Sequence, residues 1–187
     1  MLVGSGEPLG PGLTGDEVER AEARFGVRFS PVHRAFLSLG LPRGPQWPNW
    51  RSGSVRDLRA RVGAPVDGVV ADVLEHDFWP ARWGPRPIGL VEREAVARDR
   101  LARVPTLVPL YARCYLPAPH GRASYPVLDV DRTFVTVVGR DLLHYVMRVF
   151  LAHDDAGPDA RPQRVPFWSE LVELFDPERV GPGIMEP

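Results

Sequence analysis

Apolar residues recur at helical spacing near the start of the chain and predict a helical hairpin. Thr14-Gly15-Asp16-Glu17 has the composition of a capping box, so a first amphipathic helix is predicted from there to Gly26. Ser30-Pro31 predicts the start of a second helix, because serine is a preferred cap and proline suits the first helical position. The predicted apolar faces comprise Leu13, Val18, Ala21 and Phe25 in the first helix, and Val32, Phe36, Leu37 and Leu39 in the second.

Four more helices are predicted further along the chain. Residues 54–62 form a helical pattern that ends at Gly63, and residues 90–103 form another. A long helix is predicted from about Leu142 to Ala152, followed by a linker over 153–158 and a final helix over 167–175. The side chains expected to face inward are Val91, Ala95 and Leu101 in the helix over 90–103, and Leu142, Leu143, Val146, Val149 and Phe150 in the long helix.

The chain changes character at Pro105, where β-forming residues replace the helical pattern. Three short runs rich in β-branched and aromatic residues, 107–111, 126–130 and 134–138, are separated by turn residues. These runs predict a three-stranded antiparallel meander.

Two proline-bound, tryptophan-rich stretches interrupt this pattern, at residues 41–50 and 77–87. The second places two tryptophans, two arginines and three prolines in eleven residues, a composition that suits neither a regular helix nor a central strand. An ordered, stiff loop is predicted, serving either as the centre of a core or as part of a binding surface. A core position is favoured for any single tryptophan, but four of them together, accompanied by Arg82 and Arg86, are more typical of an interface.

Composition and charge narrow the classes of protein to which the chain can belong. All 23 basic residues are arginine, and a formal net charge of −1 gives no electrostatic argument for binding nucleic acid or a membrane surface. The single cysteine, Cys114, excludes an internal disulfide. The N-terminus lacks the pattern of a secretory signal, and no apolar run is long enough to span a bilayer. A cytoplasmic protein is therefore expected.

No arrangement of residues in the sequence indicates catalysis or metal binding. Cys114 is the obvious nucleophile, but nothing local links any of the five histidines to it, and a lone cysteine beside a β run is more often a small core residue. Potential metal ligands do not recur at the usual spacings. The arginines on the predicted helices alternate with acids, as on a solvated helix face. No catalytic, cofactor-binding or metal-binding residue is predicted.

The order of several weak motifs resembles the SUKH superfamily, which includes bacterial immunity proteins for polymorphic toxins and fungal regulators of cell-wall assembly. The resemblance covers about residues 13–175. It rests on residues 29–37, Trp50, Phe78-Trp79, residues 83–87, residues 105–111, Tyr125-Pro126-Val127, Gly139-Arg140-Asp141-Leu142 and Tyr145.

The sequence departs from the family pattern in two places. Related members often have a His-Arg pair where this chain has Arg113-Cys114-Tyr115, and Val137 and Val138 replace tyrosines that commonly precede the glycine. Any polar site built on that His-Arg pair is therefore in doubt here.

The resemblance implies an α+β fold: one SUKH-like domain with an N-terminal helical hairpin and a central, mostly antiparallel or mixed β-sheet flanked by helices. We expect this domain over residues 13–176, between a flexible tail (1–12) and a C-terminal tail (177–187). It also implies a protein without enzymatic activity or cofactor that binds and neutralises a toxin domain, of nuclease or deaminase class, encoded nearby. The alternatives are a regulator or scaffold without a toxin partner and, third, a small thiol-dependent enzyme built on Cys114.

The partner surface is expected on the two tryptophan-rich loops and beside the β run. The residues predicted to bind the partner are Trp47, Trp50, Asp77, Trp79, Arg82, Trp83, Arg86, Arg113 and Tyr115. Five acidic residues are candidates for steering a basic toxin if they cluster in the fold. These residues are Asp72, Glu75, Asp77, Asp129 and Asp131.

Overall fold

The structure is a computed structural model and describes residues 9–119, 125–151 and 162–174. Within these ranges the fold is α+β, with six helices and two antiparallel sheets. The helices are α1 (Gly15–Phe25), α2 (Pro31–Leu39), α3 (Val55–Glu75), α4 (Leu90–Leu101), α5 (Leu142–Phe150) and α6 (Trp168–Leu174). The strands are β1 (Leu9–Gly10), β2 (Leu41–Pro42), β3 (Leu107–Tyr111), β4 (Cys114–Pro117), β5 (Val127–Asp131) and β6 (Phe134–Gly139).

The N-terminal helical hairpin is confirmed, together with the local interactions that were expected to form it. The Thr14 side chain accepts a hydrogen bond from the backbone of Glu17, whose carboxylate accepts from the backbone of Thr14. Gly26 ends α1 with φ 66°, a left-handed conformation that favours glycine. Ser30 caps α2, and Pro31 occupies its first position.

The predicted flexible tail of residues 1–12 is partly wrong. Leu9–Gly10 forms an antiparallel pair with Leu41–Pro42, the segment that follows α2. Residues 9–12 therefore belong to the fold, whereas residues 1–8 of the predicted tail lie outside the described residues. The predicted linker over 153–158 and C-terminal tail over 177–187 also lie outside them.

The larger sheet is an antiparallel meander in the order β3-β4-β5-β6. The meander was expected, but it contains a fourth strand, β4, that the prediction of three strands missed. Strands β3 and β4 are joined by Ala112 and Arg113, with Ala112 at φ 48°, the geometry of a tight hairpin. Nothing in the composition of Ala112-Arg113 marks this turn, because it lacks the glycine or asparagine that usually occupies such a position.

Helix α3 does not end at Gly63 as predicted; it continues to Glu75 with Pro65 inside it. A proline has no N–H to donate to the carbonyl four residues earlier, here that of Arg61. The hydroxyl of Tyr115 donates to the Arg61 carbonyl oxygen at 3.3 Å, so this acceptor gains a partner from β4. Beyond the proline, Val69, Val70 and Val73 are buried in the core, and their packing holds the second half of the helix in place.

The predicted inward faces of three helices are wrong in part. In α4, Ala97 and Leu101 are buried, whereas Val91 and Ala95 are exposed. In α5, Leu143 and Val149 are exposed, and Tyr145 joins Leu142 and Phe150 in the core. In α2, Val32 and Leu39 are exposed, and the buried residues are His33 and Leu37. These helices have more apolar surface than the described part of the domain covers.

Candidate partner-binding surfaces

Three of the four tryptophans predicted to bind a partner are core residues. Trp47, Trp50 and Trp83 are each only 5% exposed. Trp50 makes an edge-to-face contact with Phe29, with ring centroids 5.1 Å apart, and Trp47 stacks on Phe36 at 6.0 Å. Their predicted surface position is corrected to a core position, because neighbouring aromatic rings enclose the indoles.

Loop 77–87 is ordered around the third buried indole, that of Trp83. Residues 81–83 form a single 3₁₀ turn, and the Trp83 ring stacks on Phe167, just before α6, with centroids 6.1 Å apart. Trp79 packs edge-to-face on Trp83 at 5.2 Å, and its indole N–H donates to the Gly84 carbonyl at 2.8 Å. Trp79 remains partly exposed, so it is the one predicted tryptophan that a partner can reach.

Charged residues surround Trp79 at the rim of this loop. Asp77 is paired with Arg86, whose hydrogen bond and charge hold the pKa of the Asp77 carboxyl below its usual value. Arg82 is paired with Glu170 of α6 and lies over the Phe167 ring at 5.4 Å. The loop and α6 enclose an open cleft of about 790 Å³ that brings together Asp77, Trp79 and Arg82. We call this the loop–α6 cleft.

The remaining two predicted residues, Arg113 and Tyr115, do not line the loop–α6 cleft. Arg113 is exposed beside strand β5, 3.2 Å from Asp129 and 2.5 Å from Asp131. Tyr115 is buried, and its hydroxyl is committed to the Arg61 carbonyl. Arg113 remains accessible to a partner, whereas the structure places Tyr115 inside the fold, so its predicted surface position is also corrected.

The five acidic residues considered for steering a basic partner are each paired with an arginine. Asp129 and Asp131 share Arg113, and Asp77 has Arg86. Asp72 and Glu75, near the end of α3, share Arg132 from the β5–β6 turn. The three arginines offset three of the five negative charges, so these residues provide only a weakly acidic surface for steering a basic partner.

Asp72 holds the β5–β6 turn against α3. Its buried carboxylate accepts hydrogen bonds from the Thr133 backbone N–H at 3.0 Å and from the Thr133 hydroxyl at 2.6 Å. Burial opposes ionisation, but these bonds, with those from Arg132 and His76, keep the pKa of Asp72 below its ordinary value. This cluster has a structural role, because its hydrogen bonds join α3 to the β5–β6 turn.

Cys114 is poorly suited to act as a nucleophile. Its side chain is only 8% exposed, and burial raises the pKa of the thiol despite a hydrogen bond with Tyr145. Of the histidines that the structure describes, none is hydrogen-bonded to the thiol, and His33 is buried with both ring nitrogens unpartnered. The geometry therefore disfavours the third hypothesis, a thiol-dependent enzyme.

Among residues 9–119, 125–151 and 162–174, no group of three or more histidine, cysteine or carboxylate side chains is arranged to hold a metal ion. None of the helices described in these ranges is long and apolar enough to cross a membrane.

An apolar groove between α2 and α5 is the surface that sequence reasoning missed. We call it the α2–α5 groove; it has a volume of about 560 Å³ and is lined by Leu9, Val32, Ala35, Phe36, Leu39, Gly40, Leu142, Leu143 and Val146. Leu39 is 90% exposed and Leu143 is 69% exposed. None of the described residues that line the groove is charged. Exposed apolar side chains that lie together in this way can serve as a contact surface for a partner.

A signal for the α2–α5 groove was present in the sequence. The apolar residues of α2 form one wide arc around the helix: Leu37 lies in the core, Phe36 packs at its edge, and Val32 and Leu39 lie on the exposed side. An arc this wide is compatible with a contact beyond the core, but the sequence does not show which part of the arc the domain covers.

Comparison of the chain with protein-family models, with curated proteins and with solved structures finds no match.

Proposed function

We propose that this protein is a cytoplasmic, non-enzymatic binding protein of the immunity type, with a SUKH-like domain, which neutralises a toxin encoded beside it. The order of motifs that resembles the SUKH superfamily suggests this class. The observation that supports it best is the α2–α5 groove, where apolar side chains of two helices remain uncovered. Binding of a partner protein commonly buries an exposed apolar surface of this kind.

The loop–α6 cleft provides a second contact surface for the same partner. Trp79 is held by its hydrogen bond to Gly84 and its contact with Trp83, so little side-chain entropy is lost when a partner packs against it. Arginine and tryptophan are over-represented among residues that dominate binding energy, and Arg82 lies beside Trp79 in this cleft. The pairing of Arg82 with Glu170 fixes the guanidinium before binding.

The proposal is tested by expressing the tagged protein together with the open reading frame adjacent to its gene. We expect a stoichiometric complex on gel filtration and rescue of cells from the toxicity of the neighbouring product. A Cys114→Ser variant should protect equally, because the proposal assigns no chemistry to the thiol. If protection required Cys114 although the serine variant folds and binds normally, the thiol-enzyme hypothesis would replace the proposal.

The regulator or scaffold hypothesis uses the same surfaces and differs in the partner. It gains support if the neighbouring product is harmless to cells and forms no complex. A complex with a neighbour that has nuclease or deaminase activity, together with loss of that activity in the complex, would favour the immunity function. The two outcomes are mutually exclusive for any one neighbouring product.

A further inference from the structure

A cleft beside α1 contains charged and aromatic side chains that the two proposed contact surfaces do not include. We call it the α1 cleft; its volume is about 480 Å³. Helix α1 forms one wall, and the chain at Trp50 and Arg51 forms the other. The stripe of α1 that lines the cleft follows the spacing i, i+3, i+4, i+7 and comprises Glu17, Arg20, Ala21 and Arg24.

The glutamate of the α1 cleft is committed to interactions within the fold. The two carboxylate oxygens of Glu17 accept hydrogen bonds from Arg51, at 2.6 and 2.9 Å, and one of them also accepts from the Thr14 backbone at 2.9 Å. The bonds from Arg51 and Thr14 lower the pKa of Glu17 to about 2, so the carboxylate stays charged at neutral pH. Arg51 also donates to the carbonyl oxygens of Pro11 and Gly12. Glu17 and Arg51 therefore form a fixed pair that adds no net charge to the cleft.

Arg20 and Arg24 are the charges of the α1 cleft that no acid compensates. Both are exposed, and neither lies within hydrogen-bond or ion-pair distance of an acidic side chain in the described part of the chain. They are one helical turn apart, so both guanidinium groups project from the same side of α1. With three arginines and one glutamate, the side chains of the cleft have a net charge of +2.

The floor of the α1 cleft is aromatic. Trp50 packs edge-to-face on Phe25 and Phe29, with centroids 5.7 and 5.1 Å away, and the Arg24 guanidinium lies over the Phe25 ring at 5.9 Å. The buried indole N–H of Trp50 has no acceptor among the described residues. The side chains of the cleft without a hydrogen-bond partner in those residues are thus Arg20, Arg24 and Trp50, and all three are donors.

A site with free donors and positive charge selects an anionic acceptor. A guanidinium group binds a carboxylate or a phosphate through two parallel hydrogen bonds. Single-stranded nucleic acid also needs exposed aromatic faces for its bases, but Trp50 is only 5% exposed and Arg24 lies over Phe25.

The spacing of the two free arginines favours two carboxylates over one compact phosphate. The Cβ atoms of residues one helical turn apart are about 5–6 Å apart. Alternate side chains of an extended peptide are about 7 Å apart along the chain. Two acidic side chains of such a peptide can therefore reach Arg20 and Arg24 at the same time.

We infer that the α1 cleft binds an acidic segment of the partner protein, with one carboxylate on Arg20 and a second on Arg24. This inference rests on the proposed function, since it specifies the chemistry of the segment that docks. It is tested with a peptide and without the neighbouring gene product. If the peptide binds and the neighbouring product does not, the proposed function fails alone; in the reverse case the inference fails alone.

The probe is an extended peptide of about eight residues in which glutamate alternates with serine, so that its carboxylates have the required spacing. A matched peptide has glutamine in place of each glutamate. Each peptide is titrated into the full, isotope-labelled chain at low ionic strength, and NMR follows the side-chain N–H signals of Arg20, Arg24 and Trp50. We expect saturable shifts of these signals with a Kd below about 1 mM for the glutamate peptide, and at least about tenfold weaker binding of the glutamine peptide.

Variants of the two arginines locate the binding site. Arg20→Gln and Arg24→Gln each remove one exposed charge and keep a good helix former, so the fold is retained. Each should weaken binding of the glutamate peptide by about threefold, and the double variant should weaken it by about tenfold. Arg148→Gln is the matched control, because Arg148 is exposed on α5 and does not line the α1 cleft. It should leave the affinity unchanged.

Three results would overturn the inference. One is no approach to saturation of the Arg20 and Arg24 signals at about 5 mM glutamate peptide. Another is equal binding of the two peptides, or equal effects of Arg20→Gln and Arg148→Gln. The third is saturation of the same signals by inorganic phosphate at a lower concentration than by the glutamate peptide, at equal ionic strength, which would assign the cleft to a free phosphate anion.

Discussion

Tyr115 is predicted to stabilise the fold by completing a helix that contains a proline. Its hydroxyl donates at 3.3 Å to the Arg61 carbonyl, the acceptor that Pro65 leaves without its helical donor. Tyr115→Phe removes only this donor and keeps the buried ring. A neutral hydrogen bond contributes about 1 kcal/mol, so the free energy of unfolding should fall by about that amount.

The explanation through Pro65 is tested by a double-mutant cycle. In Pro65→Ala, the new N–H at position 65 can donate to the Arg61 carbonyl, so the Tyr115 hydroxyl is no longer its main partner. Tyr115→Phe should then cost less than it does when Pro65 is present, with a coupling free energy of about 0.5–1 kcal/mol. The cycle cancels the effects of Pro65→Ala on buried area and on the unfolded chain.

Urea denaturation followed by circular dichroism measures each free energy, and for a chain of this size a loss of about 1 kcal/mol lowers the melting temperature by about 2–4 °C. If Tyr115→Phe costs the same with and without the Pro65→Ala substitution, the link between the hydroxyl and the proline is refuted. A Tyr115→Phe variant that is as stable as wild type but binds the partner poorly would show that Tyr115 contributes to partner binding and not to the stability of the fold.

Three further predictions concern buried polar groups. Asp72→Asn should cost about 2–3 kcal/mol at pH 7, because it removes the charge that holds Thr133 and Arg132. Since the pKa of Asp72 is lowered in the fold, this stabilisation is present above the ordinary pKa of aspartate and is lost as the pH falls through the lowered value. Urea denaturation should show that wild type and variant differ less in their free energy of unfolding at pH 3 than at pH 7. An equal difference at the two pH values would contradict the prediction. Burial lowers the pKa of His33 to about 3, so His33 is neutral in the folded protein. Protonation therefore favours unfolding below about pH 6.5, the pKa of histidine in the unfolded chain. Between pH 7 and pH 5, the free energy of unfolding of His33→Leu should therefore fall by about 2 kcal/mol less than that of the wild type. Parallel pH profiles of the two proteins would argue against a neutral buried imidazole. Alkylation of the Cys114 thiol by iodoacetamide should be at least about 100-fold slower in the native protein than after denaturation, and comparable rates would show that the thiol is accessible.

Local interactions made the N-terminal hairpin predictable from the sequence. Thr14 and Ser30 bond to backbone groups three residues away, and such contacts are encoded in adjacent residues. The end of α3 was not predictable, because the donor that serves Arg61 comes from Tyr115, 54 residues further along the chain. The low helix propensity of Gly63 and Pro65 favours an end to the helix there, but tertiary packing of the residues that follow outweighs it.

The candidate site was less predictable than the fold, because exposure depends on what packs against a residue. The composition of loop 77–87 correctly indicated an ordered aromatic segment, but the burial of Trp83 depends on Phe167, which is remote in sequence. The spacing of apolar residues in α5 includes Leu143 in the stripe, yet no described element covers it. A hydrophobic pattern therefore predicts a contact without telling whether the contact lies inside the domain or with a partner.

The central claim is that this fold acts by binding a protein through exposed surfaces. The measurement that tests it most directly is the affinity of the purified neighbouring gene product for the wild-type chain and for the Leu143→Gln and Ile88→Gln variants, by isothermal titration calorimetry. The account predicts a one-to-one complex that Leu143→Gln weakens by at least about tenfold and Ile88→Gln leaves unchanged. Absence of any complex would contradict the proposed function, and a complex equally tight in all three proteins would contradict the role of the α2–α5 groove.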